Sequence, residues 1–225
     1  MINIAIDGYA GSGKSTIAKE LAKRLGFKVF DTGAVYRAIA CSFKQMNLNV
    51  EEISDLYVQR FIEKIEIEVK FINGQQHVFV NNIDFTDSLR TEEISKLTPL
   101  LSPFRCVRNK ILGLQREFAK NNDLVMEGRD IGSFILPEAE FKFFCTADEK
   151  VRAQRRLEQY LAKGKNILFQ EVLEELKQRD YNDTHRDYGA ITILPDSIIL
   201  DTTYQNLDES VEFCLSKIRE KYPNI

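Results

Sequence analysis

The sequence predicts an α/β fold in which helices cover a five-stranded parallel sheet in three layers, with a small antiparallel insert and a helical lid. Three observations predict this fold. Short apolar runs alternate with helical patterns along the chain, a glycine-rich loop follows the first run, and shorter alternating segments interrupt the series. A chain of 225 residues with 44% hydrophobic residues is long enough to bury one full core.

The strands of the parallel sheet are predicted at five apolar runs: residues 2–6, 28–30, 124–126, 141–145 and 198–200. A helical pattern follows the first of them and is predicted to end at Gly26. Strand, loop, helix and strand in this order form a parallel βαβ unit. Asn206 and Glu209 have the spacing of a capping box, which predicts a last helix at residues 207–220.

Two segments interrupt the parallel strands within a single predicted domain of residues 1–225. The first, at residues 62–95, contains short alternating runs that are joined by the turn sequences Asn73-Gly74 and Asn81-Asn82, and it predicts an antiparallel insert. The second, at residues 148–190, contains two helical patterns and then a charged stretch. We interpret it as a lid, with helices at residues 148–163 and 168–179 and a loop at residues 179–189.

The loop after the first strand has the pattern G-x-x-x-x-G-K-[ST] between Gly8 and Ser15. Glycines allow the backbone to curl so that several N–H groups point at anionic oxygens, Lys14 adds a positive charge, and the Ser15 hydroxyl can ligate Mg²⁺. The sequence therefore predicts a nucleoside triphosphate site with bound Mg²⁺. Its residues are Gly8, Gly11, Ser12, Gly13, Lys14, Ser15 and Thr16.

Three polar clusters lie where the acceptor of a phosphoryl group would bind. Residues 31–37 and 127–132 each follow a predicted strand, and residues 179–187 lie in the lid, beyond a helix with three arginines. Each cluster alone could cap a helix or form an ordinary charged surface. Together, beside a phosphate-binding loop, they favour a polar, phosphorylated ligand.

Composition argues against several other classes of protein. The net charge of −3 and the lack of a basic stripe disfavour nucleic-acid binding. The four cysteines and two histidines lack the spacing of a zinc site or a disulfide framework, so we expect reduced, buried thiols: Cys41, Cys106, Cys145 and Cys214. No run of membrane length and no signal segment is evident, and we expect a soluble cytoplasmic protein without membrane partners.

The motifs in order resemble bacterial cytidylate kinases, nucleoside monophosphate kinases with a P-loop fold. The resemblance covers essentially the whole chain and is carried by residues 6–15, 31–37, 89–93 and 128–132, with Arg108, Gln115-Arg116, Arg155-Arg156, Arg179, Asp183 and Arg186. It implies a monomeric enzyme that transfers the γ-phosphate of ATP to CMP or dCMP with Mg²⁺, giving CDP or dCDP and ADP. The insert would be the monophosphate-binding region of that family.

The resemblance also implies the roles of individual residues. The phosphate of CMP would be held by Thr32, Arg37, Arg129 and Arg186, the base would be read by Arg108 and Asp130, and the sugar would lie near Arg179 and Asp183. Lid arginines would close over the transferring group, with Arg155 on ATP. The implied catalytic residues are Lys14, Arg129, Arg152, Arg156 and Arg186.

A carboxylate paired with an arginine complements the edge of cytosine, because cytosine has an amino donor at N4 beside two acceptors. Uracil has a carbonyl at the same position and should bind about 1 to 3 kcal/mol less well. Two positions depart from the family pattern: Tyr9 replaces a proline, and Pro99 replaces a base-contacting serine for which Thr98 is a neighbouring substitute.

Two other functions fit the same loop. One is a kinase of this architecture that acts on another small acceptor such as UMP or AMP, which Asp130 and Arg108 disfavour. The other is a regulatory module that binds a nucleotide without turnover, which the intact Lys14, Ser15 and lid arginines disfavour.

Overall fold

The structure, a computed structural model, describes residues 1–225 and contains eight strands and eight α-helices. The strands are β1 (Asn3–Gly8), β2 (Lys28–Asp31), β3 (Ile67–Ile72), β4 (Gln75–Val80), β5 (Ile83–Asp84), β6 (Leu124–Glu127), β7 (Phe141–Thr146) and β8 (Ile198–Asp201). The helices are α1 (Lys14–Leu25), α2 (Thr32–Gln45), α3 (Asp55–Glu63), α4 (Glu92–Leu101), α5 (Arg105–Asn121), α6 (Glu149–Leu161), α7 (Phe169–His185) and α8 (Leu207–Lys221). A π-helical turn spans Ile131–Ile135.

The strands form two sheets. The larger one is parallel and has the order β2-β6-β1-β7-β8, and the smaller one is antiparallel with the order β3-β4-β5. These sheets confirm the predicted α/β class with a five-stranded parallel sheet and a small antiparallel insert. In such a sheet, residues that follow the carboxyl ends of the central strands share one edge. The loops after β1 and β6 are therefore neighbours.

The chain divides into two compact units. The first consists of Met1–Val29 and Asn122–Ile225, and in its core α1 and α8 pack on apolar side chains of the parallel sheet. Its first helix ends as predicted, because Gly26 adopts a left-handed conformation and its N–H bonds back to the last turn. Asn206 and Glu209 form the predicted capping box of α8.

The second unit, Phe30–Asn121, contains the antiparallel sheet and helices α2 to α5. Asn73, Asn81 and Asn82 have positive φ values in the turns of this sheet, a conformation that asparagine tolerates better than most residues. Phe43 of α2 packs edge-on against Phe61 of α3, with ring centroids 5.2 Å apart. This small aromatic core fixes α2, the helix that begins directly after β2.

Two sequence predictions about loops are wrong. Residues 179–185 do not begin a loop, because α7 continues to His185 and places Arg179 and Asp183 one turn apart on one face. The first polar cluster, for which the position directly after a strand suggests a loop, is also helical: Asp31 caps α2 by accepting the Ala34 N–H, so Thr32 is the first helical residue. In both segments the charged residues lie on a helix face or at a helix end.

No helix of the structure has the length and apolar character needed to cross a bilayer. No group of three or more histidine, cysteine or acidic side chains is arranged to hold a metal ion. The division into one domain with an insert at residues 62–95 and a lid at residues 148–190 stays a prediction.

Candidate active site

The predicted phosphate loop connects β1 to α1 and is shaped by three glycines. Gly8, Gly11 and Gly13 all have positive φ values, which side chains of other residues rarely allow. A Cβ atom at Gly8 would lie 2.0 Å from the carbonyl oxygen of Cys145, so that position admits glycine alone. Because α1 starts at Lys14, the loop also presents helical N–H groups that lack partners within the helix, a favourable place for phosphate oxygens.

Lys14 is buried at the start of α1, and its Nζ donates to the carbonyl oxygen of Tyr9 at 3.1 Å. Burial, assisted by the charge of Arg129 and opposed by that of Glu127, lowers the pKa of Lys14 to about 7. Arg179 also contributes to this lowering. Three cationic groups therefore lie close enough to influence one another, which is a field suited to an anion with several charges.

Ser15 and Glu127 form the second feature of the site. The hydroxyl of the exposed Ser15 donates to Oε1 of Glu127 at 2.7 Å, which joins the first turn of α1 to the end of β6. A hydroxyl and a carboxylate are oxygen ligands of the kind that Mg²⁺ prefers. The sequence predicts Ser15 as the metal ligand but does not single out Glu127, because the two residues are 112 positions apart.

The carbonyl oxygen of Ser12 is held by a residue of β7 and by the residue that follows β8. It accepts hydrogen bonds from Sγ of Cys145 at 3.1 Å and from Oγ1 of Thr202 at 2.9 Å. Arg155 of α6 in turn donates to Oγ1 and to the carbonyl oxygen of Thr202, at 3.0 and 2.7 Å. Thr202 therefore links Arg155 of α6 to the phosphate loop, and no sequence motif indicates this role.

Five of the predicted acceptor-binding residues come together in the first unit. Nε of Arg129 donates to Oδ2 of Asp183 at 2.8 Å, and Arg179 and Arg186 approach the same carboxylate at 3.9 and 3.8 Å. Arg186 also lies 3.8 Å from Oδ1 of Asp130. Residues from the loop after β6 and from the end of α7 thus form one charged cluster.

Asp183 is the centre of this cluster. Burial alone would raise the pKa of its carboxyl group, but Arg129, Arg179 and Arg186 outweigh burial and lower the pKa below its ordinary value. The carboxylate is therefore ionised at neutral pH and holds guanidinium groups together that would otherwise repel one another.

The other two arginines of α6 have different surroundings from those of Arg155. Arg152 is buried and donates to the carbonyl oxygens of Ala147 and Ala10 and to the carboxylate of Asp180. Its guanidinium also lies 5.1 Å from the ring centre of Tyr9, a cation–π distance. Arg156 instead packs on the ring of Tyr160 of its own helix, at 4.5 Å. Arg152 is tied to the phosphate loop, whereas Arg156 is not.

In the second unit, Thr32 and Arg37 are organised by Asp31. The carboxylate of Asp31 caps α2 and accepts a hydrogen bond from Nη2 of Arg37 at 3.1 Å. The side-chain amide of Gln76, on β4, brackets the backbone of Asp31: its oxygen accepts from the Asp31 N–H at 2.7 Å, and its nitrogen donates to the Asp31 carbonyl at 3.1 Å. The insert thereby fixes the start of α2.

Arg108 is buried on α5 in the same unit. Pro99 lies inside α4 and is exposed, and the adjacent Thr98 donates its hydroxyl to the carbonyl oxygen of Ile94 at 2.6 Å. The Thr98 hydroxyl is thus engaged by its own helix, although it retains the capacity to accept a hydrogen bond.

The fold and the phosphate loop place this protein in the class of P-loop nucleotide-binding proteins. A model of the cytidylate kinase family matches residues 4–220. The cytidylate kinase of Caldicellulosiruptor saccharolyticus is 38% identical over 211 residues, 94% of this chain and 92% of that protein. That of Carboxydothermus hydrogenoformans is 39% identical over 220 residues, 98% of each chain.

The chain belongs to the cytidylate kinase family. This confirms the resemblance that was stated from the sequence. Among solved structures, an uncharacterized protein from Eubacterium ventriosum covers 97% of this chain and 98% of its own, with a TM-score of 0.52 and 14% identity. At that identity the likeness concerns the fold alone.

Proposed function

We propose that this protein transfers the γ-phosphate of ATP to CMP or dCMP, giving CDP or dCDP and ADP, in pyrimidine nucleotide metabolism. The observation that carries the proposal is the convergence of cationic groups on the phosphate loop. Arg129 and Arg179 both act on the pKa of Lys14, so the donor loop and the acceptor arginines share one field. Two nucleotides with phosphates brought head to head need such a field, because their charges repel one another.

The residues present fit ATP and Mg²⁺. The positive φ values of Gly8, Gly11 and Gly13 let the loop curl so that backbone N–H groups can face phosphate oxygens, and Ser15 with Glu127 offers oxygen ligands for the metal. ATP supplies the phosphoryl group, and Mg²⁺ neutralises part of its charge when both are bound. Lys14 would contact the β- and γ-phosphates of ATP. The other residues that would contact ATP are Gly8, Gly11, Ser12, Gly13, Ser15, Thr16 and Arg155.

The proposed acceptor residues are arginines and their acidic partners. The phosphate of CMP binds Thr32, Arg37, Arg129 and Arg186, since guanidinium groups form bidentate, charge-assisted hydrogen bonds with phosphate. Arg179 and Asp183 lie near the sugar. Arg108 and Asp130 read the cytosine edge. Arg186 lies 3.8 Å from Oδ1 of Asp130, so a phosphate-binding residue and a base-reading residue are direct neighbours.

Chemistry in this site consists of positioning and charge neutralisation. The acceptor is already a phosphate anion at neutral pH, so no side chain has to remove a proton from it. Arg152, Arg155 and Arg156 belong to the proposed lid, whose closure excludes water and adds positive charge as the phosphoryl group transfers. The insert at residues 62–95 is the proposed monophosphate-binding region.

The protein is proposed to act as a monomer in the cytoplasm. An equilibrium sedimentation experiment at micromolar concentration should give the mass of one chain, 26.0 kDa. A stable dimer at that concentration would contradict the monomer.

The decisive assay measures ADP formed from Mg-ATP with CMP, dCMP, UMP, AMP or GMP supplied separately, beside a control without acceptor. We expect ADP with CMP and dCMP and little with the others. Turnover of UMP comparable to that of CMP would mean that the base is not read through Asp130. It would favour the alternative of a kinase that acts on another small acceptor. No ADP with any acceptor would contradict the proposed function and favour a regulatory module.

A further inference from the structure

Asp7 is a buried acidic residue at the end of β1 that the proposed chemistry does not use. We propose that Asp7 is a positioning residue: its carboxylate fixes the loop that carries Arg129 and Asp130, and so connects the acceptor residues to the strand that ends in the phosphate loop. The inference rests on the proposed role of Arg129 and Asp130 in binding CMP.

The contacts of Asp7 are specific to that loop. Its Oδ1 accepts the backbone N–H of Ile131 at 2.7 Å, and its Oδ2 accepts that of Gly132 at 2.8 Å. Both bonds are buried, and hydrogen bonds to an ionised carboxylate are roughly twice as strong as neutral ones. The two oxygens therefore hold two consecutive peptide groups directly after Asp130.

The loop is also held on the other side of Arg129. The backbone N–H of Gly128 donates to the carbonyl oxygen of Ile6 at 3.0 Å. Consecutive residues of β1, Ile6 and Asp7, thus hold the chain immediately before and immediately after the Arg129-Asp130 pair. A segment of two residues that is fixed at both ends has little freedom to move its side chains away from a ligand.

The turn that follows explains why a side chain is needed. Ile131–Ile135 form a π-helical turn in which the N–H groups of Phe134 and Ile135 both donate to the carbonyl oxygen of Asp130, each at 3.0 Å. The first N–H groups of any helical turn lack partners within it. Asp7, on the neighbouring strand β1, accepts hydrogen bonds from two of these N–H groups. A π-helical turn is rare and often marks a functional site.

The carboxylate has to be ionised to accept both bonds. Burial is the main cause that raises the pKa of Asp7 to about 6. The two N–H groups and Arg129 oppose this rise, and the nearby Asp130 adds to it. At pH 7.5 Asp7 therefore carries its charge and offers two acceptor oxygens.

The test compares Asp7→Asn, which keeps the volume but leaves one acceptor oxygen, with Asp7→Ala, which leaves none. We expect amide hydrogen exchange at Ile131 and Gly132 to lose protection partly in the first variant and fully in the second. The KM for CMP should rise about 10-fold and about 100-fold respectively, while the KM for ATP changes by less than about 3-fold. Ile4→Val, a core change on the same strand, is the control for lost stability and should leave both KM values unchanged.

The two readouts separate this inference from the proposed function. Hydrogen exchange reports the loop without any reaction, so unchanged protection at Ile131 and Gly132 in Asp7→Ala overturns the positioning role even if CMP is turned over normally. Lost protection with an unchanged KM for CMP also overturns it, because the loop would then not govern the acceptor. Lost protection with a selective rise in that KM supports it.

Discussion

Lys14 is buried, and its Nζ donates a hydrogen bond to the carbonyl oxygen of Tyr9. Its pKa of about 7 lies well below the ordinary value of 10.5. Between these two values the unfolded chain holds a proton that the folded chain has released, so stability rises with pH across that interval. The phosphate loop therefore keeps its lysine at a cost to the stability of the protein without nucleotide.

Replacing this residue should stabilise the protein while abolishing its activity. For Lys14→Met we expect the free energy of unfolding at pH 7.5 to rise by about 2 to 4 kcal/mol. At pH 9.5 the gain should fall to about 1 kcal/mol, because that pH lies close to the ordinary lysine pKa of 10.5 and the unfolded chain then gives up its proton at little cost. The kcat should fall at least about 100-fold. Urea unfolding at the two pH values and the ADP assay measure both effects.

Lys19→Met is the matched control, because Lys19 is an exposed lysine on the same helix. It should change neither the activity nor the dependence of stability on pH. A loss of stability in Lys14→Met at pH 7.5 would show that the buried lysine is compensated in the folded protein.

At the scale of elements, Gln76 of β4 joins the antiparallel sheet to the start of α2, which is part of the proposed acceptor region. Gln76 brackets the backbone of Asp31, which in turn caps α2 and bonds to Arg37. For Gln76→Ala we expect the KM for CMP to rise about 10-fold with the KM for ATP nearly unchanged, since Lys14 and its loop are not involved. The neighbouring Gln75→Ala, on an exposed position of the same strand, should have no effect. Equal effects of the two substitutions would reject this role of Gln76.

Local patterns explain which elements could be predicted from the sequence. The glycine spacing of the phosphate loop, Gly26 at the end of α1 and the Asn206–Glu209 capping box all act within a few residues, and each is present in the structure. The end of α7 was missed because a charged sequence favours solvent but does not stop a helix: no glycine or proline interrupts it before His185.

Contacts between distant parts of the chain explain what could not be predicted in the candidate site. Glu127 meets Ser15 across 112 positions, and Asp7 meets Ile131 across 124 positions. A carboxylate after a strand looks the same in sequence whether it caps a helix, pairs with an arginine or positions a loop. A signal was nevertheless available for Asp7, because an acidic residue in a run of buried strand positions needs a polar partner.

For the whole molecule, ligand binding and folding are linked, since a nucleotide that binds only the folded chain stabilises it. At about 100 times its dissociation constant, Mg-ATP should raise the free energy of unfolding by about 2.7 kcal/mol, equivalent to a rise in Tm of about 5 to 10 °C for a chain of this length. Thermal unfolding should show this rise in the wild type and not in Lys14→Met, whereas the rise caused by CMP should persist in that variant. Adenosine, which lacks phosphates, is the control ligand. An equal effect of Mg-ATP on both proteins would place the triphosphate away from Lys14.

Tyr9 also gives this molecule a spectroscopic opportunity. The residue stands in the phosphate loop, its ring lies edge-on to Phe144 with centroids 5.5 Å apart, and the Arg152 guanidinium lies over it. The chain contains no tryptophan at all. A Tyr9→Trp substitution would therefore create a single indole chromophore at the mouth of the nucleotide site, and its emission would report occupancy of the loop without interference from any other tryptophan in the protein.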